Sequence, residues 1–298
     1  MCGFTKPPLP LFALVLSAWL GVSAALAETV HFDSLDGTTR LRGLLQLPDG
    51  PPPFPAAVFL HGCSGLGFGG GVSALYSSWA RRLNDAGLAV LMVDSVGPRG
   101  MTSTCGFREA GRRMYRDRPK DAYGALLHLQ SLPVIRPDAI ALMGWSQGGG
   151  ITLLSIVSES IGRPSPPPEH DFKAAVAFYP STCDTTFQHA PYTSVERGDW
   201  ETDTPLLVLH GGRDNWTKPE PCRRFIESLR ERQQPVAIVI YPDAAHSFDA
   251  PNVRLQRRSA PVLADGTRPL IGTDADGRAD ALRRVPAFLK ARLKVSSR

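Results

Sequence analysis

Three residues of this chain stand in surroundings that suit nucleophilic catalysis, and they follow one another as serine, aspartate and histidine. Ser146 lies in Gly144-Trp145-Ser146-Gln147-Gly148, between an apolar run that reads as a strand, Ala139–Met143, and a helical run, Ile151–Val157. A sharp strand-to-helix turn of this G-x-S-x-G kind lifts the hydroxyl above a sheet, and its glycines admit backbone where a side chain would collide. A serine hydroxyl is a weak nucleophile until an imidazole takes its proton, and the imidazole needs a carboxylate to fix its tautomer. His246, in the loop after the apolar run Val236–Ile240, is the expected base, and Asp214, just beyond Pro205–Leu209, the expected orienting acid. Asp243 and Asp249 share the residue type but lie too close to His246 to come from a separate strand end. Of the other histidines, His61 and His210 sit beside glycines at strand ends and read as structural. The tetrahedral adduct of such chemistry needs donors, and the backbone N–H groups of Gln147 and Cys63 are the candidates for an oxyanion hole.

These positions fall at the ends of regularly alternating elements. Thr29–Phe32 and Arg40–Leu47 alternate in polarity around Asp36-Gly37-Thr38 and predict an antiparallel hairpin at a sheet edge. Continuous apolar runs at Ala56–Leu60, Leu88–Val93, Ala139–Met143, Ala174–Phe178, Pro205–Leu209 and Val236–Ile240 predict buried strands. Helices are expected at Val72–Ala86, Lys120–Leu132, Glu220–Arg232 and Arg278–Leu293. Such alternation implies an α/β fold, a mostly parallel sheet with helices on both faces. Two connections, Ile161–Asp171 and Ala250–Gly277, are longer than usual; loops of that length either serve function or are simple surface insertions.

The first 27 residues read as a secretory signal peptide: Lys6 precedes an apolar run, Leu9–Leu26, that closes on Ala25-Leu26-Ala27. Ser17, Gly21 and Ser23 interrupt the run and no basic flank follows, which argues against a transmembrane anchor. Residues 28–298 are then expected as a single domain, periplasmic or secreted, with no stable membrane anchor after cleavage. Loss of Lys6 lowers the formal charge from +5 to +4. The charges are interspersed, without a basic block or aromatic platform, so no nucleic-acid partner is expected. Cys63, Cys105, Cys183 and Cys222 remain in a compartment that permits disulfides, and their spacing lacks the paired pattern of a zinc site, so no metal is expected.

Taken together, Leu60-His61-Gly62-Cys63-Ser64-Gly65, Asp94 with Pro98-Arg99-Gly100, the Ser146 turn, Asp214-Asn215-Trp216 and His246-Ser247-Phe248-Asp249 resemble the dienelactone hydrolase family. The resemblance spans most of the chain after residue 27. It implies an α/β-hydrolase fold, no cofactor, and a lactone or small ester as substrate. The founding enzymes use cysteine where Ser146 stands here. Gly144–Gly150 also resembles, more weakly, the glycine-rich turn of polyester hydrolases and cutinases. A serine peptidase on the same fold and a catalytically silent binding protein are the remaining alternatives; a peptidase would usually bring a further gating domain.

Cys183 and Cys222 each follow a strand on the presumed active-site side and are expected to pair, leaving Cys63 with Cys105. The stretch carrying Arg99, Arg108, Arg112, Arg113 and Arg116 is expected as a loop bordering the substrate entrance. Arg99 is the best candidate there for a substrate carboxylate, with Trp145 as a second substrate contact.

Overall fold

The computed structural model describes residues 1–2, 27–67, 69, 71–186 and 188–295. The leader expected over residues 1–27 lies almost wholly outside the described residues. The hairpin forms as expected: β1 (Glu28–Asp33) pairs antiparallel with β2 (Arg40–Gln46) at one edge of an eight-stranded sheet. The other strands are β3 (Phe54–Leu60), β4 (Ala89–Asp94), β5 (Ile135–Trp145), β6 (Ala174–Phe178), β7 (Leu206–Gly211) and β8 (Val236–Tyr241). Their order is β1-β2-β4-β3-β5-β6-β7-β8, parallel from β4 onward.

Alternate side chains of the central strands feed two cores. Ala57 and Phe59 of β3 face Trp79, Ala80 and Leu83 of α1 (Ala74–Asp85) and Val285 and Leu289 of α5 (Ala275–Leu293). Ala56, Val58 and Leu60 face the opposite layer: α2 (Arg108–Gln130), α3 (Gln147–Ile156) and α4 (Pro219–Glu231). Strands buried on both faces account for the unbroken apolar runs.

Helix α2 departs from expectation. It begins at Arg108, twelve residues ahead of Lys120, and carries Pro119 in its interior. A proline ordinarily marks a helix start, because it lacks an N–H and clashes with the preceding turn. Here Met114, Tyr115 and Arg118 are buried on the upstream side, and their packing holds the earlier turns. Arg108, Arg112, Arg113 and Arg116 therefore ride on a helix and not on a loop. The long connection after β8 folds back on itself through β9 (Gln256–Arg257) and β10 (Leu270–Ile271). It is tied to the His246 backbone by His246 N–H to Leu270 O, 3.2 Å, and Gly272 N–H to His246 O, 3.1 Å.

Candidate active site

Ser146 occupies the junction of β5 and α3 with φ +53° and ψ −114°, a region that residues with a Cβ rarely adopt. The turn is over-determined. Ser146 N–H donates to Phe178 O at 2.9 Å, and the Ser146 carbonyl accepts from Gly150 N–H and Ser181 N–H, each at 3.0 Å. A Cβ on Gly144 would collide with the carbonyl of Gly148, and one on Gly148 with the carbonyl of Leu60, so α3 can start this close to the sheet only with glycine at both positions.

Asp214 follows β7 and turns its carboxylate inward. Oδ2 lies 2.7 Å from His246 Nδ1 and 2.8 Å from Thr217 Oγ1, while Oδ1 accepts the N–H groups of Trp216 (2.8 Å) and Thr217 (3.0 Å). Burial would raise this carboxyl, but the His246 charge and hydrogen bond, with the Thr217 amide, hold it below the usual carboxylate range. A proton on Nδ1, shared with Asp214, leaves Nε2 as the acceptor. The imidazole is 2% exposed and sits between Tyr179 (4.4 Å between centroids) and Trp216 (4.8 Å).

Ser146 and His246 line a common cavity of about 190 Å³ with Tyr76, Tyr179, Trp216 and Arg258. A second, more open hollow of about 530 Å³ also reaches Ser146 and is bordered by Phe107, Arg108, Arg112, Pro261 and Val262. Cys63, Ser146 and Trp216 line both. The Gln147 amide opens α3 and so has no intrahelical acceptor. The Cys63 amide makes no hydrogen bond among the described residues. Both expected disulfides are present, Cys63–Cys105 and Cys183–Cys222.

His61 and His210 are fully buried, and burial pushes both below the usual histidine range, His210 to about 4; both are neutral parts of the scaffold. Asp249 is also completely buried, yet it faces away from the imidazole. Its carboxylate accepts Trp79 Nε1–H (2.7 Å), Trp145 Nε1–H (2.8 Å) and the Tyr179 hydroxyl (2.7 Å), and burial raises its pKa.

One expected substrate contact, Arg99, is corrected. Arg99 does follow β4, but its guanidinium turns inward, bidentate on Asp121 at 2.8 Å and bonded to Asp36 at 2.8 Å, with a side chain only 6% exposed. It clamps the hairpin turn to α2. Burial opposes and these partners favour its charge, and the net effect is to raise its pKa. Trp145 borders the cavity, but its ring stacks on Phe178 (5.2 Å, 4°) and its indole N–H is bonded to Asp249, which makes it part of the wall's support. The arginine that does reach the cavity is Arg258, from the long connection after β8. Its guanidinium lies 5.1 Å over the Trp216 ring, and burial lowers its pKa. Nothing in the local sequence around Arg258 distinguished it, because only the β9–β10 fold-back brings it to the site.

A parallel sheet with a strained serine at one strand end and a carboxylate-paired histidine beyond two others defines the class: an α/β-hydrolase. The chain belongs to the dienelactone hydrolase family, whose profile it matches over residues 41–293. A candidate carboxymethylenebutenolidase of Salmonella typhimurium (strain LT2) is 32% identical over 115 residues, 38% of either chain. The alignment thus spans little more than a third of that curated relative. Among solved structures, a dienelactone hydrolase-like promiscuous phosphotriesterase from metagenomic libraries superposes with TM-score 0.63 at 20% identity, covering 90% of this chain and 99% of the other. Esterase 2 of Thermogutta terrifontis gives TM-score 0.60 at 17% identity, with 91% and 96% covered.

Proposed function

We propose that the protein hydrolyses a small carboxylic ester or lactone through an acyl-enzyme on Ser146. The observation that carries this reading is the Asp214–His246 pair at 2.7 Å, sharing a cavity with a serine held at φ +53°. His246 Nε2 takes the Oγ proton as Oγ bonds to the carbonyl carbon, and the carbonyl π pair moves onto oxygen, facing the amides of Gln147 and Cys63. Collapse of the adduct breaks the bond to the leaving oxygen, which receives the proton from His246. Water then repeats the sequence and frees the acid. Asp214 stays ionised throughout, in keeping with its lowered pKa.

A small acyl portion suits the narrower cavity, and the alcohol portion the open hollow. The name of the Salmonella relative supports a lactone among the substrates. Two disulfides, and no helix among the described residues long and apolar enough to cross a membrane, are compatible with export after removal of the leader. A fluorophosphonate probe should label the protein once, at Ser146, and Ser146→Ala should abolish both labelling and turnover of 4-nitrophenyl acetate. A folded Ser146→Ala protein, free of contaminating esterase and near wild-type activity, would refute the mechanism.

A further inference from the structure

Arg118 is completely buried on α2 and makes no ion pair with a carboxylate among the described residues. Its sequence neighbour Asp117 pairs with Arg113 at 3.7 Å, and Asp121, whose charge favours that of Arg118 from a distance, has its oxygens bonded by Arg99 and Ser34. Arg118 donates instead through Nη2 to His61 O at 2.8 Å and through Nη1 to Gln147 Oε1 at 3.2 Å, and Nε has no partner among the described residues. Burial lowers its pKa to about 10, so it keeps its charge at neutral pH. Holding a buried cation without a directly bonded carboxylate is expensive. Its position suggests a compensating role.

The two bonds run to the two segments that carry the candidate oxyanion donors. Gln147 supplies one amide and gives its side chain to Arg118. His61 lies two residues before Cys63, which supplies the other. Thr104 closes the ring: its Oγ1 bonds Gln147 Oε1 at 3.1 Å, and its N–H donates to Cys63 O at 2.8 Å. The donors thus come from two separate segments, the loop after β3 and the start of α3, and among the described residues Arg118 is the one charged side chain bonded to both.

We propose that Arg118 is a positioning residue of the oxyanion hole: it fixes the spacing of the Gln147 and Cys63 amides and sets a positive charge behind them. This rests on the serine-hydrolase reading above. When Ser146 Oγ bonds to the carbonyl carbon, the displaced π pair becomes a full charge on oxygen. A buried cation that no carboxylate bonds directly then has something to stabilise, at a distance where burial limits screening.

The test compares Arg118→Met and Arg118→Lys with wild type. Arg118→Met should match wild type or exceed it in thermal stability. Its kcat on 4-nitrophenyl acetate should fall about ten- to a hundredfold with KM nearly unchanged, somewhat less than the loss of a direct oxyanion donor. Affinity for a trifluoromethyl ketone, which adds Ser146 Oγ and holds a hemiketal oxyanion, should fall by the same factor. Arg118→Lys keeps the charge and should recover part of both losses. Unchanged kcat and ketone affinity in folded variants would overturn the proposal, as would losses confined to KM or to stability. Should Arg118→Met not fold, Arg118→Lys decides: a parallel fall in kcat and ketone affinity supports the role, and its absence overturns it. Wild type that escapes fluorophosphonate labelling removes the underlying reading and this one with it, whereas labelled wild type with unaffected variants removes only the role of Arg118.

Discussion

Asp249 offers a sharp test of how the site is supported. Its carboxylate has no cationic partner among the described residues and accepts three hydrogen bonds, with both indoles on Oδ2 and the Tyr179 hydroxyl on Oδ1. Asp249→Ala would orphan three buried donors at about 1 to 3 kcal/mol each. Relief of the buried charge offsets part of this, so a net loss of about 4 kcal/mol is expected, a large share of a typical stability of ~5 to 15 kcal/mol. Asp249→Asn should be far milder. The amide oxygen can accept both indoles, its NH₂ can donate to Tyr179 oxygen, and the net change should stay within about 1 kcal/mol. The pH dependence has a definite sign. Burial raises the folded-state pKa of Asp249, so its contribution to stability declines as pH rises from the unfolded value through the folded one. The stability difference between Asn and Asp should therefore shift toward Asn on going from acid to neutral pH. Urea unfolding followed by tryptophan fluorescence at both pH values measures all of this. An Asp249→Ala protein within about 0.5 kcal/mol of wild type would refute the reasoning.

Ser146→Ala and His246→Ala should each lower kcat on the order of a millionfold, and Asp214→Asn by less, in steady-state assays corrected for contaminating esterase. Asp214 has the opposite pH sign to Asp249: its depressed pKa contributes stability above the unfolded carboxylate value, lost as pH falls through the folded one, so Asp214→Asn should flatten the acid limb of stability against pH. Arg258→Ala should reduce the preference for anionic over neutral esters by about tenfold, through loss of a charge-assisted hydrogen bond, in kcat/KM measured on paired substrates. Arg99→Ala should leave that preference unchanged and destabilise the fold by about 3 to 5 kcal/mol in the same urea assay, because it strands Asp121 and Asp36. Replacing Cys183 and Cys222 by alanine opens a crosslink between positions 39 apart and should cost about 2 to 5 kcal/mol in thermal unfolding of the oxidised protein.

The inner strands β3, β4, β6 and β7 were legible because each is buried on both faces and written as an apolar run, and the edge hairpin because its polarity alternates; Ala174–Phe178 occurs with the bounds that the sequence suggests. The serine turn was legible for a similar reason, since glycine, serine and a helix start are local requirements. Where sequence reasoning failed, the deciding contact was distant. The sequence suggests a helix only from Lys120, yet buried side chains of the preceding turns extend α2 upstream through Pro119. Arg99 was singled out by its place after β4, but Asp36 and Asp121, remote in sequence, draw it inward. Arg258 reaches the cavity only through a fold-back between two-residue strands, too short to leave a periodic signal. Arg118 gave no sign and Asp249 was weighed only as a competitor for the histidine's partner, since nothing local distinguishes a buried charge from a solvated one.

Ser146 stands where a confined cavity meets a wider, more open one. In the proposed reaction the alcohol would depart and vacate its arm once the first bond breaks, while the acyl half would stay tethered in the other. The emptied arm is then a vestibule for the second reactant. Water fits it, and so does any alcohol of similar bulk, so a forked cleft of this kind favours acyl transfer between alcohols wherever an organic acceptor outcompetes water. Which acceptors succeed would be set by the shape of that vestibule between Phe107 and Val262 together with the acceptor's own reactivity.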